Sequence, residues 1–217
     1  MDSNLNGKDW VALICAYPEL TSIPQELRDH ATDVRAAAAE TLYHIGAKSK
    51  FMLFVLEGEI RLQRRARNGA EIVLQRATAG FVAEATLENP RYHCDMVASR
   101  DSRLVGFPIE RFREALHDDK IFRTFWMARL ARKVRKLCGQ CERLSLRNAT
   151  ERIEHYIEAE GNNGRLELHQ TKKAWAAELG MTHESLYRAL ATLVRAGRLT
   201  TQERGETLVL TIRSNTG

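Results

Sequence analysis

Two cysteines, Cys138 and Cys141, stand one helical turn apart in the stretch Ile121–Leu146, IFRTFWMARLARKVRKLCGQCERLSL, with Gly139 between them. Thiols at that spacing fall on one side of a helix, where they could share a metal ion or cycle as a dithiol. Eight Lys and Arg against one acid lie between residues 120 and 143, and cations beside a thiol favour its thiolate form. The chain has two more cysteines, Cys15 and Cys94. Four are too few for a disulfide framework, so in a reducing compartment they read as metal-binding, redox-active or buried. Cys15, among Val11, Leu13 and Ile14 ahead of Pro18, reads as a core residue. The histidines His44, His117 and His155 show no paired spacing and read as structural.

The element that must position Cys138 and Cys141 is a long helix. Met127, Leu130, Val134, Leu137, Cys141 and Leu144 recur in alternating steps of three and four, the seam of a two-stranded coiled coil rather than the broader face of a surface helix. About 26 helical residues would run roughly 39 Å, enough to join two domains and to pair with a second copy. The 217 residues, 44% hydrophobic and 28% charged, suit one or two globular domains. No apolar run approaches membrane-spanning length, and the opening MDSNLNGKDW carries no signal-like pattern, so the expected location is the cytoplasm. The net charge is +5, yet residues 146–217 hold ten Lys and Arg against nine acids. Charge alone therefore does not point to nucleic acid.

From Val34 to Phe107 the pattern changes to short alternating runs punctuated by glycine: FMLFVLEGEIRLQRR, EIVLQRA, DMVASRDSRLVGFP. Glu57-Gly58 and Asn68-Gly69 read as turns between strands, the second as a hairpin. Such spacing predicts a small β-barrel or jelly roll, and with the helices an α+β fold. Beyond Leu146, Thr150–Glu160 reads as an amphipathic helix ended by Gly161-Asn162-Asn163-Gly164. Then TKKAWAAELGMTHESLYRALATLVRAGRLTTQERGETLVL carries a helix-turn-helix. Thr171 and Thr182 are the expected N-caps, Ala176 the small contact, Gly180 the turn glycine and Leu186 a core residue. Arg204-Gly205 marks the turn of a following hairpin, the wing.

The segments LYHIGAKSKFMLFVLEGEIRL and GFVAEATLENPRYHCDMVASRDSRLVGFP resemble the β-roll effector domain of the CRP/FNR family of bacterial regulators. The long helix resembles that family's dimerisation helix, and the C-terminal part its winged helix-turn-helix. The resemblance covers essentially the whole chain. It implies three parts: a β-roll sensor over residues 1–117, a dimerisation helix over 118–147 and a DNA-binding domain over 148–217. It implies a homodimeric transcription regulator, not an enzyme. Its expected partners are double-stranded DNA with inverted-repeat half-sites about 34 Å apart and RNA polymerase, with no membrane.

The departures from the family pattern bear on the effector. Relatives that bind a cyclic nucleotide hold it with a Gly-Glu pair after a phenylalanine and a downstream Arg-Ser pair. Here Phe81 and Glu84 remain, Ala83 replaces the glycine, and His93-Cys94 replaces Arg-Ser. Without the guanidinium a cyclic phosphate loses a charge-assisted bidentate pair; Arg91 could supply one only if the loop were re-routed. No cyclic nucleotide is expected. The resemblance instead brings Cys94 of the roll to the helix positions of Cys138 and Cys141, one cavity with three thiolates. That set suits Cu(I), or Zn(II) if His93 is a fourth ligand. A thiol redox switch and haem held by His93 or Cys94 are the alternatives. The family's iron–sulfur members use a cysteine cluster near the N-terminus, which lone Cys15 does not provide. A catalytic pair of His93 and Cys94 is not expected, since neighbours on a strand face opposite ways. In the helix-turn-helix, the resemblance assigns His183, Glu184, Ser185 and Arg188 to base reading. Glu184 would accept from cytosine and Arg188 donate to guanine. Thr171 and Lys172, with Lys173 beside them, would sit at the phosphates.

Overall fold

The glycine-punctuated runs fold as strands. In chain order the first part holds β1 (Ser3–Asn4), α1 (Gly7–Ala16), α2 (Gln25–Asp29), β2 (Thr32–Ala36), β3 (Thr41–Tyr43), β4 (Phe51–Arg65), β5 (Glu71–Ala77), β6 (Gly80–Val82) and β7 (Asp95–Pro108). It continues with α3 (Ile109–Asp118) and α4 (Lys120–Ser145). The second part holds α5 (Ala149–Glu160), β8 (Arg165–Leu168), α6 (Lys172–Glu178), α7 (His183–Arg195), β9 (Leu199–Arg204) and β10 (Thr207–Ile212). The structure is a computed structural model that describes residues 3–4, 7–65, 71–168, 171–205 and 207–212. It divides into two compact units, residues 1–128 and 129–217, the division falling within α4. The fold is α+β, as expected: a β-roll joined to long helices.

In the first unit all strand pairs are antiparallel, in the order β1-β2-β7-β4-β5, with β3 added to β7 and β6 to β4. β4 inserts Leu53, Val55, Ile60 and Leu62 into an interior shared with Val82, Ala83, Met96, Ala98 and Leu104. A second group is aromatic. Phe81 packs edge-on against Phe54 and Trp126, each at 4.9 Å between centroids, and Phe112 lies 4.9 Å from Trp126. Offset and edge-on rings of this kind add to the gain from burial alone.

Two sequence expectations are corrected here. Glu57-Gly58 is no turn: β4 runs through it without a break, and the register against β7 shifts on either side. Gly58 has φ +93, and a Cβ there would run into Ser102 Oγ and the Asp101 carbonyl of β7. The glycine makes a bulge inside one long strand. Cys15 is exposed rather than in the core. α1 turns Trp10 and Leu13 inward instead, with the Trp10 ring 6.1 Å from Phe107, and leaves Val11 67% exposed. Asn68-Gly69 lies outside the described residues, but β4 and β5 on either side of it pair antiparallel from Arg65 and Glu71.

The second unit has its own core, in which Ile153, Tyr156 and Ile157 of α5 meet Trp175 of α6, Leu186, Leu190 and Leu193 of α7, and Leu208 and Leu210 of β10. β8, β10 and β9 form a three-stranded antiparallel sheet whose β9–β10 hairpin turns at Gly205, φ +58. α6, a turn at Gly180 and α7 give the helix-turn-helix arrangement. The hairpin follows as a wing.

Candidate nucleic-acid interface and thiol positions

Both helices of the helix-turn-helix start where a threonine supplies the missing partner. Thr171 Oγ1 accepts from Ala174 N at 3.2 Å and Thr182 Oγ1 from Ser185 N at 3.1 Å, each satisfying an amide with no helical carbonyl. Ser185 is thereby tied into the first turn of α7, its hydroxyl also taking one from Thr182 Oγ1 at 3.0 Å. Burial of Leu186, Ala189, Leu190 and Leu193 fixes which way α7 faces. The opposite side is left to solvent: His183, Glu184, Tyr187 and Arg188 are all exposed. Arg188 Nη2 lies 3.9 Å from Glu184 Oε1, an exposed i,i+4 pair.

Lys172 does not extend freely from α6. Its Nζ donates to Glu203 Oε1 of the wing at 2.9 Å and sits 5.5 Å from the centre of the Tyr187 ring. The hydrogen bond from Lys172 to Glu203 pushes the lysine's pKa above the usual range. Tyr187 in turn meets His183 edge-on at 4.7 Å. A row thus runs from Glu203 through Lys172 and Tyr187 to His183, beside the Glu184–Arg188 pair. Tyr187 and Glu203 were missed in the sequence. Tyr187 carried a usable signal, being four residues from His183 on the outer stripe. Glu203 carried none, being 31 residues from its partner.

The turn is locked from below by Arg152 of α5. Its Nε donates to Leu146 O at 2.9 Å, its Nη1 to Gly180 O at 3.0 Å and Leu179 O at 3.3 Å, and its Nη2 to Leu144 O at 3.4 Å. One guanidinium therefore holds the carbonyls at the end of α4 and those of the helix-turn-helix turn together. Gly180 is at φ +64, and a Cβ on it would strike Leu144 Cδ2. Arg143 of α4 is 1% exposed; its guanidinium lies 4.5 Å from the Tyr156 ring centre, with Glu160 Oε1 at 3.8 Å from Nη2.

Cys94 is 0% exposed, part of the interior of the roll with Tyr92, Met96 and Leu62. Burial pushes its thiol pKa up; Arg64 opposes this, and Asp95 adds to it. A thiol of that kind stays protonated and unreactive. His93 is exposed. The two residues lie in a bend ahead of β7 rather than within the strand, and they face opposite ways. The His93 carbonyl accepts from Arg64 Nε at 2.6 Å. In the second unit Cys138 and Cys141 are both exposed. A Cβ on Gly139 between them would meet nothing within 4 Å among the described residues beyond its own helix backbone. Among the described residues no three His, Cys, Asp or Glu side chains form a group that could hold a metal ion. At the position the resemblance gives to the nucleotide phosphate, Cys94 lies inward and Arg91 Nη1 donates to Gly46 O at 2.7 Å. Ala83 keeps the left-handed backbone a glycine would take, at φ +62 and ψ +36, and Glu84 behind it is buried.

On α4, Met127, Val134, Leu137 and Leu144 are 64%, 56%, 47% and 44% exposed, and Cys141 is exposed with them. The seam is a bare stripe on the single chain. No described helix is long and apolar enough to cross a membrane.

Residues 33–119 match the family model of the cyclic nucleotide-binding domain. Among solved structures, a CooA mutant from Carboxydothermus hydrogenoformans is 18% identical with a TM-score of 0.67, covering 91% of this chain and 90% of that one. FixK2 from Bradyrhizobium japonicum is 19% identical with a TM-score of 0.59, covering 85% and 93%. A CRP-family transcriptional regulator from Thermus thermophilus is 21% identical with a TM-score of 0.54, covering 82% and 91%. A search of curated protein sequences gave no match.

Proposed function

We propose that this chain, with a cyclic nucleotide-binding domain over residues 33–119 and the CRP/FNR-type fold, is a homodimeric, DNA-binding transcription regulator of the cytoplasm. The observation that carries this is the exposed outer face of α7. Capped by Thr182 and oriented by a buried opposite side, it presents His183, Glu184, Ser185 and Arg188 beside a lysine-bearing helix start and a wing. A helix so displayed fits the major groove, with Glu184 accepting from cytosine N4 and Arg188 donating to guanine. Thr171 and Lys172 sit where phosphates would flank it. The stripe on α4 supports pairing with a second copy, because alternating three–four spacing is covered completely only by another such helix. Pairing sets two recognition helices one DNA turn apart, so the operator is an inverted repeat and RNA polymerase is the downstream partner.

The experiment is selection of bound sequences from a random duplex pool by the full chain, with light scattering for mass. An enriched inverted repeat and a dimeric mass support the reading. Leu137→Glu would place two carboxylates in the seam and yield a folded monomer with weakened binding. Absence of any enriched sequence, or a monomeric wild type, refutes it.

For the effector, the proposal is a soft metal ion, Cu(I) first, taken by thiols. Its support is narrower: Cys138 and Cys141 are exposed one turn apart on a Lys- and Arg-rich helix, and soft thiolates prefer such ions. Cys94 joins only if the interior of the roll opens, whereas His93 is already exposed. Anaerobic Cu(I) titration against a competing chelator, on wild type, Cys138→Ser and Cys94→Ser, tests this. Loss with Cys138→Ser alone puts the ion on the helix, and loss with both brings in the roll. A wild type that does not compete for Cu(I) removes the metal and moves thiol redox or haem forward.

A further inference from the structure

We propose that Glu203 of the wing is a built-in competitor for the DNA phosphate that Lys172 would neutralise, so that the head holds back from DNA carrying the wrong bases. The inference rests on the DNA-binding reading and names a residue that tunes it.

The geometry is specific. Glu203 Oε1 takes a hydrogen bond from Lys172 Nζ at 2.9 Å, a distance proper to a carboxylate–ammonium pair. The lysine is held on its other side by the Tyr187 ring, which His183 backs edge-on. Lys172 is consequently 29% exposed, while Glu203 is 72% exposed on a hairpin that turns two residues later at Gly205. Of the two partners, the glutamate is the one able to leave. A phosphate oxygen reaching Lys172 must share or take an ammonium already paired with a carboxylate, and it meets that carboxylate's charge on approach.

Non-specific binding to DNA is almost wholly electrostatic, whereas base contacts are added only at the operator. A fixed anion against a phosphate-binding lysine therefore subtracts from every encounter. Base contacts restore the balance only at the correct site. Glu203 is one of the nine acids that offset ten Lys and Arg over residues 146–217.

The test uses the full chain and a fluorescein-labelled random-sequence duplex of about four helical turns, with binding followed by anisotropy over a salt series. Glu203→Gln is expected to bind roughly two- to fivefold more tightly at low salt, since exposed pairs are worth a fraction of a kcal/mol up to about one. The slope of log K against log salt should steepen by up to about one. Lys172→Ala should weaken binding and make the slope shallower. The decisive arm is Glu203→Gln in the Lys172→Ala background, where the gain must vanish. A Glu203→Gln chain equal to wild type overturns the proposal. So does a gain that persists without Lys172, because Glu203 would then act as a general repulsive charge. A wild type that fails to bind the duplex at low salt overturns the DNA-binding reading itself, and the proposal with it. Enrichment of an inverted repeat by wild type alongside an inert Glu203→Gln isolates the failure to this residue.

Discussion

Arg152→Met should loosen the joint between the long helix and the reading head without disturbing the β-roll. The arginine gives two short hydrogen bonds, to Leu146 O at 2.9 Å and Gly180 O at 3.0 Å, and two longer ones to Leu179 O and Leu144 O. A hydrogen bond from a charged donor contributes about 1.5–3 kcal/mol net. These are partly exposed, so the low end applies, and the longer pair adds little. Methionine keeps the apolar stem, leaving a cost of about 2–3 kcal/mol from the short pair. Some attraction to the carbonyl end of α4 is lost as well. A single melting temperature would mix two units, so the assay is amide hydrogen exchange by mass spectrometry. Peptides over α5, α6 and α7 should exchange roughly 30- to 150-fold faster, at about 1.4 kcal/mol per tenfold, while those over β4 and β7 stay unchanged. Arg152→Lys should fall between, because an ammonium lacks the planar fork that reaches both sides. Exchange within about threefold of wild type over α5–α7 would refute the reasoning, as would equal loss in the roll.

Three further outcomes follow from the roll and the thiols. Ala83→Gly should relieve a φ of +62 that is strained for any residue with a Cβ, partly offset by the buried methyl it removes, for a net gain of up to about 0.5 kcal/mol; hydrogen exchange over β4 and β7 that quickens counts against this. Alkylation with iodoacetamide, followed by peptide mass, should modify Cys15 and Cys138 rapidly, with Cys141 slowed by the paired helix and Cys94 reacting only on unfolding; a fast adduct on Cys94 would mean that the roll opens. Stability should decline as pH rises through about 9–10, where free thiols and phenols ionise. Burial raises Cys94, Tyr92 and Tyr156, so the unfolded chain loses those protons first and the native state is favoured fully only below that range. Urea midpoints unchanged between about pH 8 and 10.5 would contradict this.

Residues 33–119 of the first unit match a cyclic nucleotide-binding domain, and the residues at its expected phosphate position differ from an Arg-Ser pair. At the position where a phosphate would need a guanidinium, the chain turns Cys94 inward, ties Arg91 to Gly46 and places Arg64 against the His93 carbonyl. His93 is exposed while Cys94 is buried, so the bend ahead of β7 turns the two side chains apart. The exposed pair Cys138 and Cys141 is left as the accessible thiol chemistry of the long helix.

Amino-acid order alone settled what depends on neighbours. The three–four spacing set α4, predicted over Ile121–Leu146 and found at Lys120–Ser145. Thr171 and Thr182 capped the helices they precede, and Gly180 took the turn, because a side chain reaches a backbone amide only two or three residues away. Tertiary structure decided what depends on distant chain. Gly58 makes a bulge rather than a turn because the β7 backbone at Asp101 and Ser102 leaves no room for a Cβ. Cys15 faces solvent because Trp10 and Leu13 take the inward side of α1. Arg152 meets Gly180, and Lys172 meets Glu203, across 28 and 31 residues. Short-range hydrogen bonds are fixed by the covalent spacing of their partners, whereas long-range ones exist only after strands pair and cores close, so no local pattern announces them.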